Sequence, residues 1–114
     1  MTVYVDAAIH PWRGQFWCHV FSDDIAELHA FAARIGLRRE WFQQPPAASW
    51  PHYDTTARRR AAALKMGAVD ADRYTLAEVA WRLQGRLTPE KQASLARLRA
   101  QAAGRDAPAQ GSLF

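Results

Sequence analysis

Asp6, His10, His19, Asp23, Asp24, His52, Tyr53 and Asp54 fall at the ends of expected strands or in the loops beside them, and His29 falls on the first expected helix. Imidazoles and carboxylates gathered in this way can hold a divalent ion or act as base and acid. Asp6, Asp54 and His10 are candidate metal ligands for Mg, Mn or Zn, and His52, Tyr53, Asp54 and His19 are candidate catalytic groups. Arg59 and Arg60 are candidate phosphate clamps, because a guanidinium fork matches phosphate geometry. The chemistry implied is metal-assisted hydrolysis of a phosphoester.

Each of these residues also has a plainer role open to it. Asp23 and Asp24 suit helix capping, His29 beside an apolar stripe suits a satisfied core position, and His19 inside an apolar strand must bond something. Cys18 and His19 are neighbours in a strand, so they point to opposite faces and form no thiol–imidazole pair. Phosphate-binding glycine loops, zinc-protease His-Glu-x-x-His, dinucleotide fingerprints and nucleophile elbows are all missing from the sequence.

The elements that must position these groups follow from patterning. Val3–Asp6 reads as a strand ending on a carboxylate, and His10–Gly14 as a Pro/Gly loop. Phe16–Phe21 is apolar on both faces and suits a central strand. Asp24 with Glu27 forms a capping-box pattern for a helix that reaches about Ile35 and stops at Gly36. Glu40–Gln43 suits a short strand, and Pro45 to Pro51 a loop. Thr55 or Thr56 would cap a second helix ending at Met66 before Gly67, and Ala68–Asp70 one more strand. Thr75–Glu78 would open a third helix, and Pro89 at a first helical position a fourth.

This strand–helix rhythm predicts an α/β fold: a small mixed or mostly parallel sheet of three to four strands, flanking helices and a C-terminal helical hairpin. If the strands run parallel, Asp6, Asp23 and Asp54 gather at one edge, where such sheets bind ligands.

The chain has 114 residues, room for one domain and one core. Residues 1–103 are expected to form that domain, and the Gly, Ala, Pro and Asp content from Gly104 onward a flexible linker and tail over 104–114. A single cysteine excludes an internal disulfide and any multi-cysteine metal site. No apolar run approaches the ~20 residues of a membrane span. The opening residues lack a basic and apolar leader, so a cytoplasmic location is expected. The net charge of +4 is carried by arginine and permits an anionic partner.

Taken in order, Val3-Tyr4-Val5-Asp6, His10-Pro11-Trp12, Trp17-Cys18-His19, Ser22-Asp23, Glu27–Ala32, Gly36, Trp41-Phe42-Gln43, Pro51–Asp54 and Gly67-Ala68-Val69 resemble the domain of unknown function 4031 family. That family is small, bacterial and phage-borne. The resemblance spans roughly residues 2–70 and implies that the His/Asp constellation is a shared family feature. It supplies no activity.

The last residues, Gln110-Gly111-Ser112-Leu113-Phe114, resemble the peptide by which bacterial polymerases and repair proteins bind the replication sliding clamp. Gln110, Ser112, Leu113 and Phe114 hold the specified positions. An amide followed by an apolar pair suits docking into a groove from a flexible tether. The leading expectation is therefore an accessory protein of DNA replication or repair, tethered to the clamp and acting on a nucleic-acid or nucleotide phosphate. Two other classes stand beside it. One is a non-enzymatic binding module with a structural His/Asp network. The other is a small nucleotide-processing enzyme in which Trp12, Trp41 and Tyr53 stack a base.

Overall fold

Residues 2–106 are described by the computed structural model. In chain order they form β1 (Val3–Val5), β2 (His10–Trp12), β3 (Gln15–Ser22), α1 (Ile25–Arg34), a single 3-10 turn (Arg39–Trp41), β4 (Tyr53–Thr56), α2 (Ala57–Lys65), β5 (Val69–Asp70), α3 (Arg73–Leu83) and α4 (Pro89–Asp106). The fold is α/β with a mixed sheet, as the patterning predicts, but the sheet has five strands.

The long strand β3 organises the sheet. Trp17 pairs with both His10 of β2 and Thr56 of β4, and Val20 with both Val5 of β1 and Tyr53 of β4. So β4 lies along one edge of β3, while β1 and β2 follow one another along the other. All three are antiparallel to β3, and β5 runs parallel to β1 beyond it. The sheet is thus antiparallel around β3.

Two strands stand where the sequence reading placed a loop and a helix lead-in. Residues 10–14 form a hairpin arm, because Arg13 and Gly14 take positive φ values of 50° and 75° and make a two-residue turn that matches strand twist. Pro11 is tolerated because β2 is an edge strand. Thr56 ends β4 and also caps α2, its hydroxyl accepting from Arg59 N at 3.4 Å. Conversely, residues 40–43 form no strand: only Gln43 bridges to His52, and Pro45 and Pro46 beyond it have no N–H to extend a ladder.

Asp24 caps α1 as expected, accepting from Glu27 N at 3.0 Å. Helix α3 starts earlier than the Thr75 pattern suggests, with Asp72 as its cap at 2.8 Å from Thr75 N. The Thr75 hydroxyl instead accepts from Arg99 of α4, part of the pairing of α3 with α4 that also includes Arg99 and Glu78 at 2.8 Å. Helix α4 continues to Asp106, so it takes in Gly104 and the start of the expected linker. Residues 107–114, with the clamp-like peptide, lie outside the described residues.

The core lies between the sheet and α1 and α2, where Val5, Cys18, Val20, Leu28, Ala32 and Tyr53 are buried together. A smaller cluster of Phe21, Ala71 and Val79 packs α3 against the opposite face. His19 and Asp54, paired across β3 and β4, lie on that second face. Among the described residues, no helix is long and apolar enough to cross a membrane.

Candidate functional site

His19 sits midway along β3, at the point where β1 has ended and β2 has not begun. The gap is filled by Asp6, the residue after β1. Its Oδ1 accepts the His19 backbone N–H at 2.6 Å, and its Oδ2 accepts from the His19 ring Nδ1 at 2.7 Å. A carboxylate can only accept, so the ring proton is on Nδ1 and Nε2 is left bare in the neutral imidazole. Asp6 itself is 8 % exposed.

His52 is fixed by a different device to the same end. Its Nδ1 donates to the Trp50 carbonyl at 2.9 Å, and the Trp50 indole stacks on the imidazole with centroids 4.3 Å apart. The free Nε2 again points inward, 3.4 Å from Asp54 Oδ1. Asp54 faces His19 directly across the β3–β4 pair, and its Oδ1 is 4.0 Å from His19 Nε2. Its other oxygen accepts from the Gln43 amide at 2.6 Å, which leaves Oδ1 as the atom turned to both histidines.

His19, His52 and Asp54 therefore present three electron-pair donors within 4.8 Å of one another. Ligand atoms around a tetrahedral ion with bonds of about 2.0–2.1 Å stand roughly 3.3 Å apart. The 3.4 Å and 4.0 Å separations are close to that spacing. Each imidazole carries the outer hydrogen bond, one to a carboxylate and one to a backbone carbonyl, that orients ring ligands in metal sites.

The electrostatics follow the same contacts. Burial opposes charge on His19, but the hydrogen bond to Asp6 and the charges of Asp6 and Asp54 outweigh it and raise the imidazole above its ordinary value of 6.5. Burial likewise opposes charge on Asp54, and the contacts with His52 and Gln43 outweigh it and hold the carboxyl below its ordinary value of 3.8. Burial, with Asp6 next, pushes the Cys18 thiol up to about 12, so Cys18 stays protonated and unreactive.

The sequence reading placed Asp6 and Asp54 together as ligands. In the fold they lie on opposite sides of the His19 ring, one on Nδ1 and one toward Nε2. His10 forms a second trio with Asp6 and His19, but both Asp6 oxygens are already engaged by His19. Tyr53 is 1 % exposed and points into the core, its hydroxyl hydrogen-bonded to His29 Nδ1 at 2.8 Å. It meets neither the metal-type cluster nor a stackable base. Asp23 follows the antiparallel β3, so it lies at the other end of the sheet and pairs with Arg82 at 3.1 Å.

The two arginines separate in the same way. Arg60 donates from Nε to the Asp6 carbonyl at 2.6 Å and from Nη2 to Asp70 at 2.7 Å, a strut between α2, β1 and β5. Arg59 faces a cavity of about 680 Å³ that Asp54, Trp12, Trp17 and Trp41 also line. A smaller cavity of about 240 Å³ opens beside it over His10, His19 and Asp54.

Gln43 and Trp50 are the members that sequence reasoning missed. Their signal was faint: a lone polar residue ahead of a proline pair, and an aromatic two positions before His52.

A family model described as a protein of unknown function (DUF4031) matches residues 3–83, which include every member of the cluster. Comparison with curated proteins and with solved structures gives no match.

Proposed function

We propose, starting from a chain that belongs to the DUF4031 family of proteins of unknown function, that it is a divalent-metal-dependent hydrolase of phosphate esters. One observation carries this reading. The Nδ1 atoms of His19 and His52 are both taken up by outer partners, and both Nε2 atoms face Asp54 Oδ1. When the rings are neutral, their Nε2 lone pairs and the Asp54 oxygen converge on one point. That convergence is the donor set of a divalent-cation site, with the ion taking the place of the proton.

Two imidazoles and one carboxylate suit Zn or Mn better than Mg, which prefers oxygen ligands. An ion held by His19, His52 and Asp54 would neutralise charge on a phosphate oxygen and acidify a water molecule. Hydrolysis would join a water oxygen to phosphorus, break the ester P–O bond and pass the water's proton to the departing alkoxide. Arg59, on the wall of the neighbouring cavity that Asp54 also lines, would receive phosphate charge.

The purified protein, stripped and reloaded, should bind one Zn or Mn per chain by calorimetry at pH 8. His19→Ala and Asp54→Ala should each weaken that binding at least about a hundredfold and abolish metal-dependent cleavage of a chromogenic phosphodiester. Weak binding in the intact protein, or equal binding in the variants, would remove the reading.

The terminal Gln110-Gly111-Ser112-Leu113-Phe114 supports placing this activity at replicating or repaired DNA. Titration into a bacterial sliding clamp should show binding by the full chain and none by a chain cut after Ala109. Equal behaviour of the two chains would detach the activity from the clamp.

A further inference from the structure

The cavity of about 680 Å³ beside the cluster has a wall chemistry that the metal reading does not use. Trp12 is 57 % exposed and Trp41 41 % exposed, and both line it. Arg13, at the hairpin turn, lies 4.5 Å over the Trp12 ring, and Arg59 lies 5.7 Å over that of Trp41. Glu40 on the same wall is already paired with Arg38 at 2.5 Å. Among the described residues, neither Arg13 nor Arg59 is in an ion pair.

Exposed indoles and unpaired guanidiniums make different demands on an occupant. Flat exposed rings are satisfied by a planar partner. Free guanidiniums in fork geometry are satisfied by an oxyanion such as phosphate. A sugar phosphate would leave the surface of the rings beyond the guanidiniums uncovered, and an apolar ligand would leave the charges uncompensated. Asp54 lines both this cavity and the smaller one over His19, so an occupant would lie against the metal-type cluster. The volume falls within the range of pockets for small organic ligands.

We infer that this cleft binds a base-bearing phosphate, with the base stacked on Trp12 and Trp41 and the phosphate held by Arg59 next to His19, His52 and Asp54. The inference names the substrate class of the proposed hydrolase and rests on that reading for the chemistry, though not for the binding. The hairpin that carries Trp12 and Arg13 is held at its base by the β2–β3 ladder, so these groups are presented rather than left to find the ligand.

The test is calorimetric titration of adenosine monophosphate, ribose phosphate and a short oligothymidylate into the full chain, with and without chelator. Metal content is measured on the same samples. Adenosine monophosphate should bind at least about tenfold more tightly than ribose phosphate. Trp12→Ala and Trp41→Ala should each remove most of that advantage while leaving metal content unchanged. Arg59→Ala should weaken both ligands about equally. Both tryptophans are exposed, and unchanged thermal melting would confirm that the variants fold.

Equal binding of the two phosphates, or an advantage that survives both tryptophan substitutions, would overturn the inference. A base preference in a protein that holds no metal would sink the hydrolase reading alone; bound metal without a base preference would sink this one alone. Both remaining outcomes support the inference and separate its sources. Tighter binding of the oligonucleotide identifies a polymer, and equal or weaker binding a free nucleotide.

Discussion

His19 and His29 stand on opposite faces of the sheet and meet opposite faces of β4. His19 lies across from Asp54, and His29 bonds to the hydroxyl of Tyr53, one residue earlier in the same strand. Burial opposes charge on both rings. On His29 nothing offsets it, and Arg39 adds to it, so that imidazole is lowered below 6.5. On His19 the carboxylates of Asp6 and Asp54 reverse the sign. The alternation of a single strand, Tyr53 inward and Asp54 outward, thus separates a histidine packed against the core from one set among carboxylates. Burial pushes both rings the same way. The partner of each nitrogen tells them apart.

The sharpest way to break this contrast is Asp6→Asn. An asparagine can still accept the His19 backbone N–H, but its amide donor would face Nδ1 and drive the ring proton to Nε2. Metal affinity should then fall about 10–100-fold by calorimetry, whereas His29→Gln should leave it unchanged. Comparable losses in both variants would mean that the two histidines do not differ as described.

Proton titration followed by NMR should place the His19 midpoint above 6.5 and that of His29 below it in the metal-free protein. The consequences for stability have opposite signs. His19, raised on folding, contributes stability that is present below 6.5 and lost as pH rises through its folded midpoint. His29, lowered on folding, contributes stability that is present above 6.5 and lost as pH falls through its folded midpoint. Metal binding must displace a proton from His19, so affinity should begin to fall at a pH above 6.5 as the medium is acidified. Coincident midpoints for the two rings would remove the distinction.

The smallest effect belongs to Tyr53→Phe, which leaves the half-buried His29 Nδ1 without its partner. Urea unfolding should show a loss of about 1 kcal/mol with metal content unchanged. A loss of metal in this variant would show that the two faces of β4 are coupled.

Much of this arrangement was legible in the residues. The cap at Asp24, a cap at Thr55 or Thr56, the central position of β3 and the candidacy of Asp6, His19, His52 and Asp54 all follow from residue types and patterning. Parallel strands would be the expected means of gathering carboxylates, but the pairing with β3 is antiparallel. What escaped has identifiable physical causes. Strand β4 is only Tyr53–Thr56, and its two threonines serve equally well as β-branched strand residues and as caps, so local preference could not divide them. Strand β2 carries a proline that is tolerable only at a sheet edge, and edges are set by the whole sheet. The roles of Asp6 and Asp23 depend on strand direction: with β3 antiparallel, one carboxylate meets His19 and the other leaves for the far end. The Gln43–His52 bridge is a contact across nine positions of the chain with no periodic signature.

Arg60 gives the site a property that experiment can use. It grips Asp6 by the main-chain carbonyl, while His19 is held by the Asp6 side chain. Scaffold and charge at this position are therefore wired to different neighbours, and each can be edited without cutting the other. Asp6→Asn alters what His19 feels while Arg60 keeps the end of β1 in place. Arg60→Met loosens the frame while the carboxylate stays on the ring. The part that anchors the strand end and the part that orients His19 are thus divided within one residue, and each half answers to its own substitution.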